Sequence, residues 1–368
     1  MFYYLSYLSE FFGPLRLFDY ITFRAGGAAA LAFTIVALTG GRFAAMLRSF
    51  NIRAAARYEG LLPEELLDKR KNSTPCMGGI LLIGAVLIST LLWSKWNASN
   101  GICWILMGGT AGFALIGFLD DFLKVFKQQR DGLPGKLKLA GQFLVGGIVV
   151  WLFWRNPALH DIMTGFYVPF IKQPFHFQFW YLLPVFSVAI IIVGAANAVN
   201  LTDGKDGLAS GCTIFCSLSY AVLTYLMGHQ IFASYLDLPY INGIEEAVVF
   251  ASALGGGCVG FLWHNCHPAS MFMGDTGSLA LGGAVGMLAV LSRQELLLAL
   301  IGGVYVMEII SVMLQVASFK LTGKRIFLCT PIHHHFERKG WTETQIVVRF
   351  WILSGIFALM ALATLKLR

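Results

Sequence analysis

The feature that most constrains this 368-residue chain is a series of long, uninterrupted apolar runs. A helix needs about 20 consecutive apolar residues to cross the hydrocarbon of a bilayer. The approximate segments 21–47, 77–95, 102–122, 139–155, 179–199, 208–228, 246–264, 278–292, 295–319 and 347–366 meet or approach that length. A membrane barrel would instead show weak period-two strands of about ten residues. Composition closes off the other classes. Apolar residues make up 57% of the chain and charged residues 13%, with a mean hydropathy of +0.69. The charged share is about half that of a soluble domain, too little polar surface to cover a water-soluble globule and too apolar for a disordered chain. The expected fold is therefore all-α: one polytopic domain over residues 1–368, with about ten transmembrane helices. The ninth segment contains Gly302, Gly303 and Glu308 and is the one expected to kink or break. Residues 1–20 are rich in aromatic side chains and lack the basic stretch and small-residue cleavage site of a signal peptide. They read as an interfacial helix on the outer face.

The basic residues orient the chain. Nineteen of the 27 Lys and Arg residues fall in or beside the loops that follow odd-numbered segments, and eight fall on the other side. The positive-inside rule makes the first set cytoplasmic and both termini external. A net charge of +7 would suggest nucleic acid in a soluble protein. Here it serves orientation and contact with anionic headgroups or phosphorylated substrates, and no nucleic-acid partner is expected. Seven cysteines without C-x-x-C spacing, mostly in or beside apolar runs, are expected as free thiols.

Four polar segments stand out, all on the side assigned to the cytoplasm. Adjacent Asp120 and Asp121, followed by Lys124, end the third segment; paired carboxylates at a membrane boundary call for a divalent or other cation. The turn Asn197–Leu208 carries Asn200, Asp203, Asp206 and two glycines, suited to phosphate through backbone N–H groups and to Mg²⁺ through carboxylates. The loop Asn265–Ser278 places Asp275 beside a helix start, next to Phe272, where anions and their counter-cations collect. The run Pro331–Trp341 contains His333, His334 and His335. Three consecutive histidines cannot all aim at one ion from regular backbone, so these side chains fit anionic phosphate or sugar groups better than zinc. Lys71 and Thr74 in the first loop and Lys136 and Lys138 in the second suit phosphate contact or simply set topology. Three Asp-bearing loops facing Lys and His at one membrane surface suit Mg²⁺-assisted phosphoryl transfer.

The motifs D-D-x-x-K at 120–124, N-x-x-N-x-x-D-G-x-D-G-L at 197–208 and F-M-G-D-x-G-S at 272–278 resemble those of the polyprenyl-phosphate N-acetylhexosamine 1-phosphate transferases. T-P-x-M-G-G at 74–79 and P-I-H-H-H-F-E-x-K-G-W at 331–341 are similar to the branch of that family that handles muramoyl-pentapeptide. The resemblance spans essentially the whole chain. It implies transfer of phospho-N-acetylmuramoyl-pentapeptide from its UDP conjugate to undecaprenyl phosphate, with Mg²⁺, at the cytoplasmic face of the bacterial inner membrane. It further implies that Asp120, Asp121 and Asp275 are the catalytic and metal residues. By the same resemblance Asn200, Asp203, Asp206, Phe272 and His333–His335 would bind substrate and the chain would pair as a homodimer; Lys71, Thr74, Lys136, Lys138 and Asn265, in the same polar segments, are expected to join them. Two competing readings are a cation-coupled transporter using Glu308 and a sister transferase using UDP-N-acetylglucosamine. The acidic residues lie at the boundary rather than the midplane, which argues against the first; the histidine run argues against the second.

Overall fold

The apolar runs fold into helices because a backbone in hydrocarbon must satisfy every N–H and C=O within its own segment. The computed structural model describes residues 1–50, 52, 74–96, 101–127, 132–163, 165–169, 171, 175–176 and 182–366. In chain order the helices are α1 (Ile21–Ser49), α2 (Gly79–Trp93), α3 (Ile102–Phe126), α4 (Gly135–Arg155), α5 (His160–Met163), α6 (Leu182–Thr202), α7 (Leu208–Gly228), α8 (Gln230–Tyr235), α9 (Glu246–Asn265), α10 (Gly274–Leu291), α11 (Glu295–Ile301), α12 (Gly303–Thr322), α13 (Ile332–Arg338) and α14 (Glu343–Ala363). Among the described residues, eight helices are long and apolar enough to cross a membrane, and Gly79–Trp93 and Ile190–Thr202 are shorter apolar stretches. The fold is all-α and polytopic. A two-residue antiparallel pair, β1 (Gly165–Phe166) with β2 (Phe175–His176), is the only sheet among the described residues.

Two boundaries differ from expectation, and the break expected in the ninth segment is present. The third helix does not stop at residue 122 but runs to Phe126, so Asp120 and Asp121 lie inside it. The ninth segment breaks at Gly302 into α11 and α12, as two adjacent glycines allow. Residues 1–20 form two 3₁₀ elements, Phe2–Leu8 and Gly13–Asp19, rather than one interfacial helix. The Gly13–Pro14 step interrupts the N–H ladder there.

The packing is organised around α10, which is buried along its whole length. Small residues let its neighbours approach at backbone distance. A Cβ added at Gly282 would lie 2.6 Å from the Ala196 Cα of α6, and one at Gly286 would lie 2.8 Å from the Ile192 Cα. Gly79 of α2 faces the Gly277 backbone, and Gly117 of α3 faces the Asp275 and Thr276 backbone. Two buried ion pairs sit at the end of the bundle away from the polar motifs. Arg24 grips Glu246 through two 2.7 Å hydrogen bonds. Arg293 pairs with Glu295 and reaches the Gly165 carbonyl at 2.5 Å, tying the small sheet down. All seven cysteines are free thiols.

Candidate active site

The contact of α3 with α10 decides where the three key carboxylates stand. Asp121 accepts from the Asp275 N–H at 3.0 Å, the Thr276 N–H at 2.8 Å and the Thr276 hydroxyl at 2.7 Å. It thus satisfies orphan donors at the start of α10 from a neighbouring helix. Gly274, with φ of +76°, makes the turn, and a Cβ there would lie 2.7 Å from Asp121 Oδ2. Asp120, one position earlier on α3, is braced by the Leu133 N–H at 2.7 Å. That donor is presented by Gly132 at φ +62°, where a Cβ would approach Asp120 Oδ1 to 2.5 Å. Asp275 completes the group, and Asn200 holds its Oδ1 at 3.0 Å while reaching Ser278 at 2.8 Å.

The three aspartates are 1%, 4% and 2% exposed in sequence order. Three buried carboxylates cannot remain charged without counter-charge, and two lysines supply it. Lys124 lies 2.5 Å from Asp120 Oδ2 and 2.9 Å from Asp275 Oδ2. Lys138 lies 2.6 Å from Asp275 Oδ2 and 3.4 Å from Asp120 Oδ2. One oxygen from each aspartate falls within 4.8 Å of the others. An all-carboxylate donor set of that size suits a hard divalent cation such as Mg²⁺. Asp206, His267 and Glu343 meet the same spacing, but Asp206 already accepts from His267 and from the Ala269 N–H, both at 3.1 Å.

The remaining motifs interlock around this group. The Phe272 N–H donates to the Pro75 carbonyl, and the N–H groups of Gly78 and Gly79 donate to the carbonyls of Phe272 and Met273, each at 2.8 Å. The first loop, with Thr74 half-buried, is therefore stitched to the start of α10. Asn265 accepts from the Gly207 N–H at 3.0 Å and donates to the Met271 carbonyl at 2.9 Å. Both ends of its amide are spent on bracing loops. Asp203 is half-buried at the end of α6.

The histidines separate. His333 is fully buried and donates through Nδ1 to Glu308 of α12 at 3.0 Å; its Nε2 and Glu308 Oε2 have no hydrogen-bond partner among the described residues. The ring lies against Gly204, where a Cβ would sit 2.5 Å from Nε2. His334 donates to Glu337 at 2.9 Å, and Lys205 reaches the other Glu337 oxygen at 2.5 Å. His335 accepts from the Leu328 N–H at 3.1 Å. Burial pushes His334 below the ordinary histidine value, with the Glu337 hydrogen bond opposing. Burial raises the Glu337 carboxyl, but its bonds to His334 and Lys205 outweigh that and hold it at about 2.

Lys138 joins the aspartates, whereas Lys136 is exposed and does not. Lys71 lies outside the described residues. Sequence reasoning did not assign Lys124, Gln142, Lys205, Glu337 or Glu343 to the site. For Lys124 the signal was present, since a lysine four residues after Asp120 shares its helix face. Gln142, which receives the Asn197 amide at 2.6 Å, carries no local signal.

A sequence profile described as glycosyl transferase family 4 matches residues 103–293. Proteins named phospho-N-acetylmuramoyl-pentapeptide-transferase align with the chain from end to end. Those of Methylacidiphilum infernorum and Desulfotalea psychrophila are 46% identical over 370 and 371 residues, and that of Koribacter versatilis is 45% identical over 385, each covering all of both chains. The chain belongs to the phospho-N-acetylmuramoyl-pentapeptide-transferase family. The glycosyl transferase family 4 match runs from α3 to just past α10 and so contains Asp120, Asp121, Asn200 and Asp275. The histidine loop lies outside the profile match but within the full-length relatives.

Proposed function

We propose that the chain transfers phospho-N-acetylmuramoyl-pentapeptide from its UDP conjugate to undecaprenyl phosphate, releasing UMP and forming lipid I for peptidoglycan synthesis. The observation that carries this reading is the buried Asp120–Asp121–Asp275 group, matched by two lysines, in a chain with full-length transferase relatives. The reaction brings two anions together at a membrane surface, and the site combines carboxylates for a cation with ammonium groups for phosphate. Asp275 and Asp120 would hold Mg²⁺, with Asp121 placing Asp275 through the α10 backbone. The bound ion would supply charge neutralisation for the diphosphate. Lys124 and Lys138 would meet phosphate oxygens; Asp203, Asp206, Phe272 and the histidine loop would line the donor side.

The bond changes are few. An oxygen of the lipid phosphate bonds to the sugar-bearing phosphorus, the bridging P–O bond breaks, and UMP leaves with the bridging oxygen and its electron pair. A phosphate monoester has a second pKa of about 6, so the acceptor is already largely dianionic near neutral pH. Direct attack then needs little proton abstraction. The site would face the cytoplasm of a bacterial inner membrane, where the soluble donor is found, and the chain would act as a homodimer.

The test is to give the purified protein undecaprenyl phosphate, Mg²⁺ and either UDP-N-acetylmuramoyl-pentapeptide or UDP-N-acetylglucosamine. UMP and a lipid-linked product from the first donor alone are expected. Product from the second alone would make it a sister transferase, and ion-coupled flux without UMP would make it a transporter. With donor but no lipid phosphate, direct attack gives no UMP burst. A burst equal to the enzyme concentration would require a covalent intermediate on an aspartate.

A further inference from the structure

The geometry points to Lys124 and Lys138 as exchangeable counter-cations: they fill the place between Asp120 and Asp275 before a divalent cation arrives, are displaced by it, and are then delivered to the donor's phosphates. This rests on the metal-assisted reading above and adds how the site passes from its metal-free to its working state.

Three observations carry it. First, both ammonium groups converge on the same two oxygens, Asp120 Oδ2 and Asp275 Oδ2, at 2.5 to 3.4 Å. Ammonium ions bridging two carboxylates stand where a cation between those carboxylates would stand. Second, two ammonium groups carry the same charge as one divalent ion. Exchange leaves the electrostatic balance of the buried group unchanged, whereas metal binding beside fixed lysines would add two positive charges to it. Third, the two partners differ in freedom. The carboxylates are 2% exposed, and backbone or amide donors hold Asp120 from the Leu133 side and Asp275 from the Asn200 side. The lysine side chains are 16% and 15% exposed and reach in from the rim on flexible four-carbon stems. When the balance changes, the stems can swing outward while the carboxylates stay.

The arrangement has a physical rationale. Emptying a buried carboxylate group of all counter-charge is strongly destabilising. Resident lysines keep the site assembled without metal, and the metal must compete with them. The same competition aims both lysines at the mouth of the site when metal binds, where the next arrivals are phosphates.

The experiment uses the full-length protein in detergent or nanodiscs and measures Mn²⁺ binding by electron paramagnetic resonance, alongside UMP release. Losing one lysine removes a competing cation that the metal must displace, so each Met variant should bind Mn²⁺ about tenfold more tightly. Lys124→Met and Lys138→Met are therefore expected to bind Mn²⁺ more tightly while releasing UMP more slowly. Lys124→Arg keeps the charge and should stay near wild type in Mn²⁺ affinity. Asp275→Asn should lose binding. In the wild-type protein, Mn²⁺ should raise acylation of the Lys124 and Lys138 amines by an amine-reactive reagent, read by peptide mass spectrometry. Unchanged or weakened Mn²⁺ affinity in both Met variants overturns the proposal, as does unchanged lysine acylation in wild type. Because UMP release by the wild type is scored separately, failure of the exchange and failure of the transferase reading give different results.

Discussion

At the scale of single residues, Asp275 and Asp121 look alike in sequence but are held differently. Asp121 spends its oxygens on the first turn of α10, while Asp275 presents one oxygen to two lysines and the other to Asn200. Asp275→Asn keeps the shape and removes the charge. UMP release should fall at least about a hundredfold, as when a key electrostatic group is lost from an active site, and the remaining rate should respond little to a Mg²⁺ titration. Glu337 gives a prediction in pH. Its folded value of about 2 lies below its ordinary 4.5, so its stabilising effect is complete above pH 4.5 and is lost as pH falls toward 2. His334 acts in the same direction from a higher pH, because its depressed value penalises the protonation that an unfolded chain would accept. Melting temperatures across that range should drop on the acid side in the wild type and drop less in Glu337→Gln.

At the scale of elements, the site is made by helices that approach at backbone distance. Gly117 permits α3 to lie against the Asp275 and Thr276 backbone, which brings Asp121 within reach of the α10 N-terminus. Gly117→Ala forces the two helices apart. Overpacking of this kind costs about 1–3 kcal/mol, and the melting temperature should drop accordingly. Because Asp120 and Asp121 move relative to Asp275, turnover should also fall and should not recover with added Mg²⁺. Much of this layer was legible in the sequence. Apolar runs located the helices, and the Gly302–Gly303 step located the break between α11 and α12. The end of α3 was misplaced because charged residues suggested a boundary, whereas Lys124 and Lys138 neutralise Asp120 in place and let the helix continue. Pairings such as Asn197 with Gln142, or Glu308 with His333, connect residues far apart in the chain. Hydropathy carries no record of them.

At the scale of the whole molecule, the two ends of the bundle differ in kind. One end closes on the buried pairs Arg24–Glu246 and Arg293–Glu295, and the other gathers the polar motifs. In the orientation proposed from the count of basic residues, the second end faces the cytoplasm. Cys266 is exposed there, beside His267. A membrane-impermeant thiol reagent should modify Cys266 in inverted vesicles and leave it unmodified in intact spheroplasts; the opposite pattern would reverse the orientation. The burial of α10 has a consequence for how the protein meets different membranes. Its 18 residues rise about 27 Å, less than the roughly 30 Å of a typical hydrocarbon layer. A lipid-facing helix of that length would thin the bilayer or recruit flanking residues to compensate. Sheathed by protein throughout, α10 has no lipid to match. The helices α1, α4 and α12 are the least buried of the spanning helices and are the ones left to meet the lipid, so the carboxylate at the tip of α10 is referenced to its neighbours rather than to the thickness of the bilayer.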